Sequence, residues 1–242
     1  MGGQRSSTDE FAAAHGSERH TIEEDGMGRI RARMSMSLDG FVAGPEQSLE
    51  NPLGIGGESL HEWAFRTRTF REMQGASTEG ADTGLDDERA GAWNENVGAT
   101  IMGRNMFGPV RGPWGDSDWR GWWGDDPPYH CPVLVLTHYE RPSVELDGGT
   151  TFHFVTGGVD EAMARAREIA GDGLAQLSGG PGTAREFLRR GLVDELLVSI
   201  APVLLGAGER LFGDLIPDAA AYAVQHLASS PGAAHFTLAR PA

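Results

Sequence analysis

The chain has 242 residues, 35 acidic and 20 basic side chains and a net charge of −15, and it contains no lysine. This charge argues against a nucleic-acid or anionic-membrane surface, and the missing lysine excludes a pyridoxal phosphate Schiff base and a Walker-type phosphate loop. No stretch reaches the roughly 18 apolar residues of a membrane span, so we expect a cytoplasmic protein.

The first part of the chain divides into a polar leader and a strand. Residues 1–28 are small and polar without periodicity, which predicts a disordered extension ahead of a single domain over residues 29–242. Residues 29–37 alternate between apolar and polar side chains and predict a β-strand. A loop follows over residues 37–44.

Helical spacing of apolar residues comes next. Residues 58–74 predict an amphipathic helix, and residues 75–92 predict a loop that runs into a second short helix. Residues 111–130 contain four tryptophans among glycine, aspartate and proline, a composition that argues against regular structure. A lid and a dimer contact are both open readings of this tryptophan-rich segment.

Beyond residue 98 the chain alternates between apolar strands and helices. Strands are predicted over residues 99–102, 132–137, 151–156, 173–177 and 194–205, and helices over residues 160–170 and 183–190. Ala162, Met163, Ala166 and Ile169 are predicted to face inward from the first of these two helices. Residues 221–228 and 234–240 predict a C-terminal antiparallel hairpin around an SSPG turn.

This order predicts an α/β fold with a mostly parallel sheet covered on both faces, which the final hairpin makes mixed. The apolar faces of the hairpin predict a homodimer that pairs across a two-fold axis; they contain Ala223, Leu227, Phe236 and Leu238. Acidic and histidine residues between 125 and 138 match no ligand spacing, so no metal site is predicted.

The glycine-rich segment SGGPGT connects a buried strand to a helix. Its backbone N–H groups and the positive end of the helix can hold a phosphate without lysine. The residues concerned are Ser178, Gly179, Gly180, Gly182 and Thr183. The alternative is a helix N-cap at a tight connection.

Four segments together resemble the dihydrofolate reductase-like superfamily. They are similar to the reductase (C-terminal) domain of the bifunctional riboflavin-biosynthesis deaminase-reductase, and they read MSMSLDGFVAG (34–44), TIMGRNMFGP (100–109), PVLVLTHYERP (132–142) and LSGGPGTAREFLRRGLVDELLVSIAPVLLGAGERLF (177–212). The HxE…PCxxC motif of the zinc deaminase half is absent from this sequence. The resemblance implies a three-layer α/β/α domain and NADPH as cofactor.

The resemblance also implies roles for residues on the cofactor side. The pyrophosphate and adenosine would lie against Gly103, Arg104 and Asn105 and the SGGPGT turn. The ribose and its 2′-phosphate would lie near Thr137, His138 and Arg141. Backbone near Val42 and Ala43 would contact the nicotinamide amide.

On the substrate side, the resemblance implies Asp39, Trp63, Leu205 and Gly206. Asp39 is the candidate proton donor, with an Asx turn that stabilises its loop as the alternative. The implied activity is NADPH-dependent hydride transfer to a C=N or C=O group of a planar heterocycle, with 5-amino-6-(5-phosphoribosylamino)uracil as one candidate. A secondary-metabolism reductase and a non-catalytic nucleotide-binding or assembly protein are the alternatives.

Overall fold

The computed structural model describes residues 28–108, 111–115, 118–213 and 222–241. All of the predicted leader except Gly28 lies outside these residues. The strands are β1 (Ile30–Ser37), β2 (Phe41–Ala43), β3 (Val97–Gly103), β4 (Pro132–Leu136), β5 (Val144–Glu145), β6 (Thr151–Val155), β7 (Leu174–Gly179), β8 (Glu195–Ala201), β9 (Glu209–Arg210), β10 (Ala223–Ser229) and β11 (Ala234–Ala239).

The helices are short except for the two that follow β6 and β7. They are α1 (Glu62–Phe65), α2 (Arg68–Met73), α3 (Leu85–Gly91), α4 (Arg104–Phe107), α5 (Gly158–Ala170) and α6 (Pro181–Arg189), with 3-10 turns at Gly57–Leu60, Ala92–Asn94 and Asp147–Gly149. The tryptophan-rich segment contains neither helix nor strand within its described residues, 111–115 and 118–130.

One nine-stranded sheet organises the described residues, in the order β10-β11-β8-β1-β7-β3-β4-β6-β5. The strands from β8 to β6 run parallel, whereas the C-terminal hairpin and β5 pair antiparallel at the two edges. The mixed, mostly parallel sheet with a C-terminal hairpin is therefore confirmed. β2 and β9 form a separate antiparallel pair.

The alternation along β1 assigns its two faces to different layers. Its apolar side chains pack with α5 and α6 in the largest core cluster, which includes Ala32, Ala166 and Phe187. The opposite face carries Arg33 and Ser35 toward the region of α1 to α3. This arrangement is the predicted three-layer α/β/α fold, and it leaves polar groups on the face that borders the cavity described below.

The predicted helix over residues 58–74 is wrong in its continuity, because it consists of a 3-10 turn followed by α1 and α2. Thr67 lies between the two helices, where its hydroxyl donates to Ala64 O at 2.7 Å and accepts from Phe70 N at 3.2 Å. A threonine that caps the second helix in this way ends the first one. Hydrophobic periodicity alone does not detect such a break.

Several boundaries and one orientation also differ from the predictions. α6 begins at Pro181, two residues early, because proline suits the first helical turn. The strand predicted over residues 194–205 ends at Ala201, and the loop predicted over residues 37–44 contains β2. Ile169 is 38% exposed, so its predicted inward orientation is wrong, whereas Ala162 and Ala166 are buried.

Candidate functional site

The two glycine-containing segments that the sequence singled out meet at the carboxyl ends of β3 and β7. Met102 of β3 pairs with Gly179 of β7, so the start of α4 lies beside the start of α6. A side chain at Gly103 would place its Cβ 2.4 Å from the Thr183 hydroxyl oxygen. Glycine at position 103 therefore allows the GRNM and SGGPGT segments to touch.

The SGGPGT turn has the features of an anion site. Gly179 has a φ of 141°, which favours glycine, and its peptide bond to Gly180 is cis. Gly180 precedes α6 with no side-chain cap on the first N–H groups of this helix. The Ser178 hydroxyl is buried without a hydrogen-bond partner in the described residues. Uncapped N–H groups and an unpartnered hydroxyl suit a phosphate oxygen.

A cavity of about 360 Å³ borders this turn. Its wall contains seven of the residues predicted to contact cofactor or substrate: Val42, Ala43, Trp63, Asn105, Ser178, Gly179 and Gly180. The structure thus brings the residues predicted to contact the nicotinamide and those predicted to contact the pyrophosphate to one cavity. Gly103, Gly182 and Thr183 are outside the lining, although Gly103 and Thr183 contact each other beside it.

Besides Trp63, six phenylalanine, tryptophan and tyrosine side chains line the cavity, and sequence reasoning assigned none of these six to the site. They come from α1, α2, the segment after α3 and the tryptophan-rich segment: Phe65, Phe70, Trp93, Trp122, Trp123 and Tyr129. The concentration of tryptophan was the available sequence signal, but it did not indicate which surface these rings would cover. The wall suits a planar ligand that stacks on aromatic faces.

Arg33 is the single arginine among the described residues that line this cavity. Its guanidinium carbon lies 3.9 Å from the centre of the Trp93 ring, and its Nε is buried without a hydrogen-bond partner in the described residues. Burial lowers the pKa of Arg33 to about 10, so it remains a cation at neutral pH. The alternation in β1 placed Arg33 on the polar face, but sequence reasoning gave it no role.

The other titratable groups of the cavity are neutral at pH 7. Burial, and then the charge of Arg33, lower the pKa of His61 to about 4. Burial raises the pKa of Tyr129 far above its usual range. No aspartate or glutamate lines the cavity within the described residues. The cavity is therefore an apolar aromatic space with one positive charge.

Arg104, Thr137 and Arg141, which were predicted for the adenosine side, lie outside the cavity lining and are buried or half-buried. Arg104 donates to the Thr137 hydroxyl at 3.1 Å, and its guanidinium carbon lies 3.3 Å from the Trp114 ring centre. Arg141 contacts the same indole at 4.8 Å. Burial, then Arg111 and Arg141, lower the pKa of Arg104. His138 is exposed nearby. Trp114 of the tryptophan-rich segment thus covers Arg104, predicted for the pyrophosphate and adenosine, and Arg141, predicted to lie near the 2′-phosphate.

Asp39 and its predicted neighbours form a loop contact outside the cavity lining. The Asp39 carboxylate accepts from Leu205 N at 3.1 Å, from Gly206 N at 2.7 Å and from the Ser37 hydroxyl at 2.6 Å. These hydrogen bonds, led by that of Ser37, lower the pKa of Asp39 to about 2. An ionised carboxylate with three donors is a poor proton donor, so the geometry favours the loop-stabilising alternative over catalysis.

Among the described residues, no cluster of three or more histidine, cysteine, aspartate or glutamate side chains has metal-binding geometry. Among the helices of the same residues, none combines the length and apolar character needed to cross a bilayer.

The sheet order and the cavity at the carboxyl ends of its strands define an α/β protein with a dihydrofolate reductase-like fold. The model of the RibD C-terminal domain family matches residues 29–233. The chain therefore belongs to the RibD C-terminal domain family. A search of curated protein sequences finds no match.

Solved structures share this fold at low sequence identity. A Shewanella sp. PV-4 protein named for riboflavin biosynthesis has 24% identity and a TM-score of 0.55 over 88% of this chain and 99% of its own. The deaminase/5-amino-6-(5-phosphoribosylamino)uracil reductase of Thermotoga maritima has 13% identity and a TM-score of 0.51 over 89% and 57%. Acinetobacter baumannii RibD has 15% identity and a TM-score of 0.51 over 90% and 59%.

Proposed function

We propose that this chain is an NADPH-dependent reductase that delivers a hydride to a C=N or C=O group of a small planar heterocycle. Membership of the RibD C-terminal domain family supports a reductase of the riboflavin pathway, with 5-amino-6-(5-phosphoribosylamino)uracil as the first substrate to test. The cytoplasmic location and the homodimer remain predictions.

One observation carries the proposal. A single cavity joins the SGGPGT turn to the aromatic wall, so a ligand on the turn and a planar ligand between the rings would lie side by side. Hydride transfer needs this adjacency, because the donor and acceptor carbons must approach to about 3–3.5 Å. A site that only bound a nucleotide would not need an aromatic compartment beside it.

The described residues fit the nicotinamide and pyrophosphate parts of NADPH. The unpartnered Ser178 hydroxyl and the uncapped start of α6 would hold the pyrophosphate. Backbone at Val42 and Ala43 would orient the nicotinamide, and NADPH bound there would supply the hydride. The aromatic wall would exclude water from the acceptor.

Arg33 is the residue we assign to substrate orientation. Its guanidinium retains N–H donors that face an apolar cavity, and a carbonyl or phosphate oxygen of the substrate would accept them. A positive charge beside the acceptor would also stabilise the negative charge that develops on its nitrogen or oxygen during reduction. Arg33 does not donate a proton itself, because arginine stays protonated.

The test is a titration of the protein with NADPH and with NADH, followed by quenching of tryptophan fluorescence. Gly180→Asp should keep the fold, because Gly180 has ordinary backbone angles and aspartate is a good N-cap for α6. Its carboxylate would repel the pyrophosphate, so we expect NADPH affinity to fall by at least about tenfold. Ala76→Asp adds the same charge at an exposed position outside the cavity and should leave affinity unchanged.

Unaltered NADPH affinity in Gly180→Asp would overturn the assignment of the turn. NADPH binding without oxidation by any pyrimidine or pterin acceptor would overturn the reductase. The covered arginines favour one alternative, a non-catalytic nucleotide-binding protein, because Trp114 lies where the 2′-phosphate was predicted. For that protein NADH and NADPH should bind equally, whereas the reductase requires that NADPH bind more tightly.

A further inference from the structure

A row of polar side chains crosses the sheet beside the cavity and reaches the cavity wall at Ser35 and Ser199. Ser35 of β1, Ser199 of β8 and His235 of β11 are direct partners across neighbouring strands. The Ser199 oxygen lies 2.9 Å from His235 Nδ1, and His235 Nε2 lies 2.8 Å from the Asp86 carboxylate. Ser199 lines the cavity, whereas His235 and Asp86 are each only 4% exposed.

The second carboxylate oxygen of Asp86 is also held. It accepts a hydrogen bond from the Ser230 hydroxyl at 2.8 Å, and Ser230 accepts from the N–H groups of Gly232 and Ala233. A carboxylate fixed in this way holds the His235 ring so that Nε2 carries a proton and Nδ1 faces Ser199. Trp63, whose ring packs 4.8 Å from that of His235, covers the imidazole on the cavity side.

We propose that Asp86, His235 and Ser199 form a proton relay that opens into the cavity at the Ser199 hydroxyl. The relay rests on the proposed reductase for its role, because reduction of a C=N or C=O group consumes one proton. The described lining contains no carboxylate that could supply this proton, and His61 is neutral there. Ser199 is the hydroxyl that joins the cavity to a second ionisable group.

The acceptor carbon gains the hydride, and the acceptor nitrogen or oxygen gains the proton of the Ser199 hydroxyl. Ser199 regains a proton from Nδ1 of doubly protonated His235, which becomes neutral, while Asp86 stays ionised and keeps the Nε2 hydrogen bond. After product release, water that enters the cavity returns a proton to His235 through Ser199. His235 and Asp86 are positioning residues, and Ser199 is the group that touches substrate.

The first test needs neither cofactor nor substrate. Ser199→Cys places a thiol at the mouth of the relay, and a thiol that transfers its proton to an adjacent imidazole becomes a reactive thiolate. We expect iodoacetamide to alkylate Ser199→Cys at least about tenfold faster than it alkylates the double variant Ser199→Cys/His235→Gln. Both are made in a Cys131→Ser background. Equal rates, or no alkylation of Ser199→Cys, would overturn the relay.

The second test measures turnover. Ser199→Ala should lower kcat by about 10²-fold, the lower range for a general acid, with little change in KM or in NADPH affinity. Ser199→Thr keeps the hydroxyl and should restore most of the rate, whereas Asp86→Asn, of nearly equal volume, should resemble Ser199→Ala. Ser143→Ala is the matched control, because Ser143 pairs with His153 Nδ1 at 3.0 Å on the surface.

The two tests separate the proposals. A reactive thiol in Ser199→Cys without turnover by the wild type would keep the relay and overturn the reductase. Turnover that Ser199→Ala does not alter would overturn the relay and keep the reductase. A lower unfolding temperature with unchanged kcat in Ser199→Ala would show that Asp86, His235 and Ser199 contribute to folding alone.

Discussion

Replacement of Arg33 by methionine distinguishes a role in substrate binding from a role in folding. Substrate affinity should fall in this variant, whereas thermal stability should be unchanged or rise. A half-buried cation without a carboxylate partner, whose Nε is buried, carries a desolvation cost that methionine would not. The lost contact with Trp93 costs about 0.5–2 kcal/mol in the other direction. We therefore expect Arg33→Met to unfold at a temperature equal to or above that of the wild type.

Substrate affinity should fall in the same variant. A hydrogen bond to a charged group contributes about 1.5–3 kcal/mol, and about 1.4 kcal/mol corresponds to a factor of ten. The KM for the proposed substrate, 5-amino-6-(5-phosphoribosylamino)uracil, should therefore rise about 10- to 100-fold. Arg33→Lys keeps the charge but loses the planar fork, so its KM should lie between those of the wild type and Arg33→Met. NADPH affinity should change little, since the SGGPGT turn is intact.

Steady-state kinetics and thermal unfolding of Arg33→Met together test whether Arg33 binds the substrate or stabilises the fold. Arg89→Met is the matched control, because Arg89 also has a buried Nε without a hydrogen-bond partner in the described residues but lies outside the cavity lining. A KM that does not change in Arg33→Met refutes the substrate contact. A large loss of thermal stability in Arg33→Met would show that Arg33 acts in folding.

Two further predictions concern pH and assembly. Because the folded pKa of His61, about 4, lies below its usual 6.5, its contribution to stability is complete above about pH 6.5 and is lost as pH falls toward 4. His61→Asn should flatten this part of the pH–stability curve in calorimetry, and an unchanged curve would contradict the burial argument. Val224 and Leu227 are 60% and 57% exposed on the edge strand β10, so Leu227→Glu should convert the predicted homodimer to a monomer in sedimentation. A monomeric wild type would refute the dimer.

Local pattern predicted most of the fold, because the signals that mark its main elements are short-range. Alternation in β1, the apolar runs of β4 and β6, and the SSPG turn of the hairpin each specify one element within about ten residues. The break between α1 and α2 was missed, since the hydroxyl of the single residue Thr67 decides it. The β2–β9 pair was missed because its strands lie far apart in sequence.

The candidate site likewise contains residues with a local sequence signal and residues that come together only in the fold. Backbone groups of the glycine turn were predictable, because glycine at a strand-to-helix connection has a local meaning. The aromatic wall, Arg33 and the row that ends at Asp86 were not, because these side chains come from segments far apart in the chain. Asp39 shows the converse: the resemblance implied a substrate-side role, but its carboxylate accepts hydrogen bonds from Ser37 and from the backbone of Leu205 and Gly206, far along the sequence.

The tryptophan-rich segment connects the two halves of the site. Trp114 covers Arg104 and Arg141, and a few residues later Trp122 and Trp123 line the cavity. A 2′-phosphate that engaged these arginines would have to displace Trp114, and a displacement that extended to Trp122 and Trp123 would change the cavity wall. Cofactor and substrate binding would then be coupled, and by thermodynamic linkage the coupling is equal in both directions.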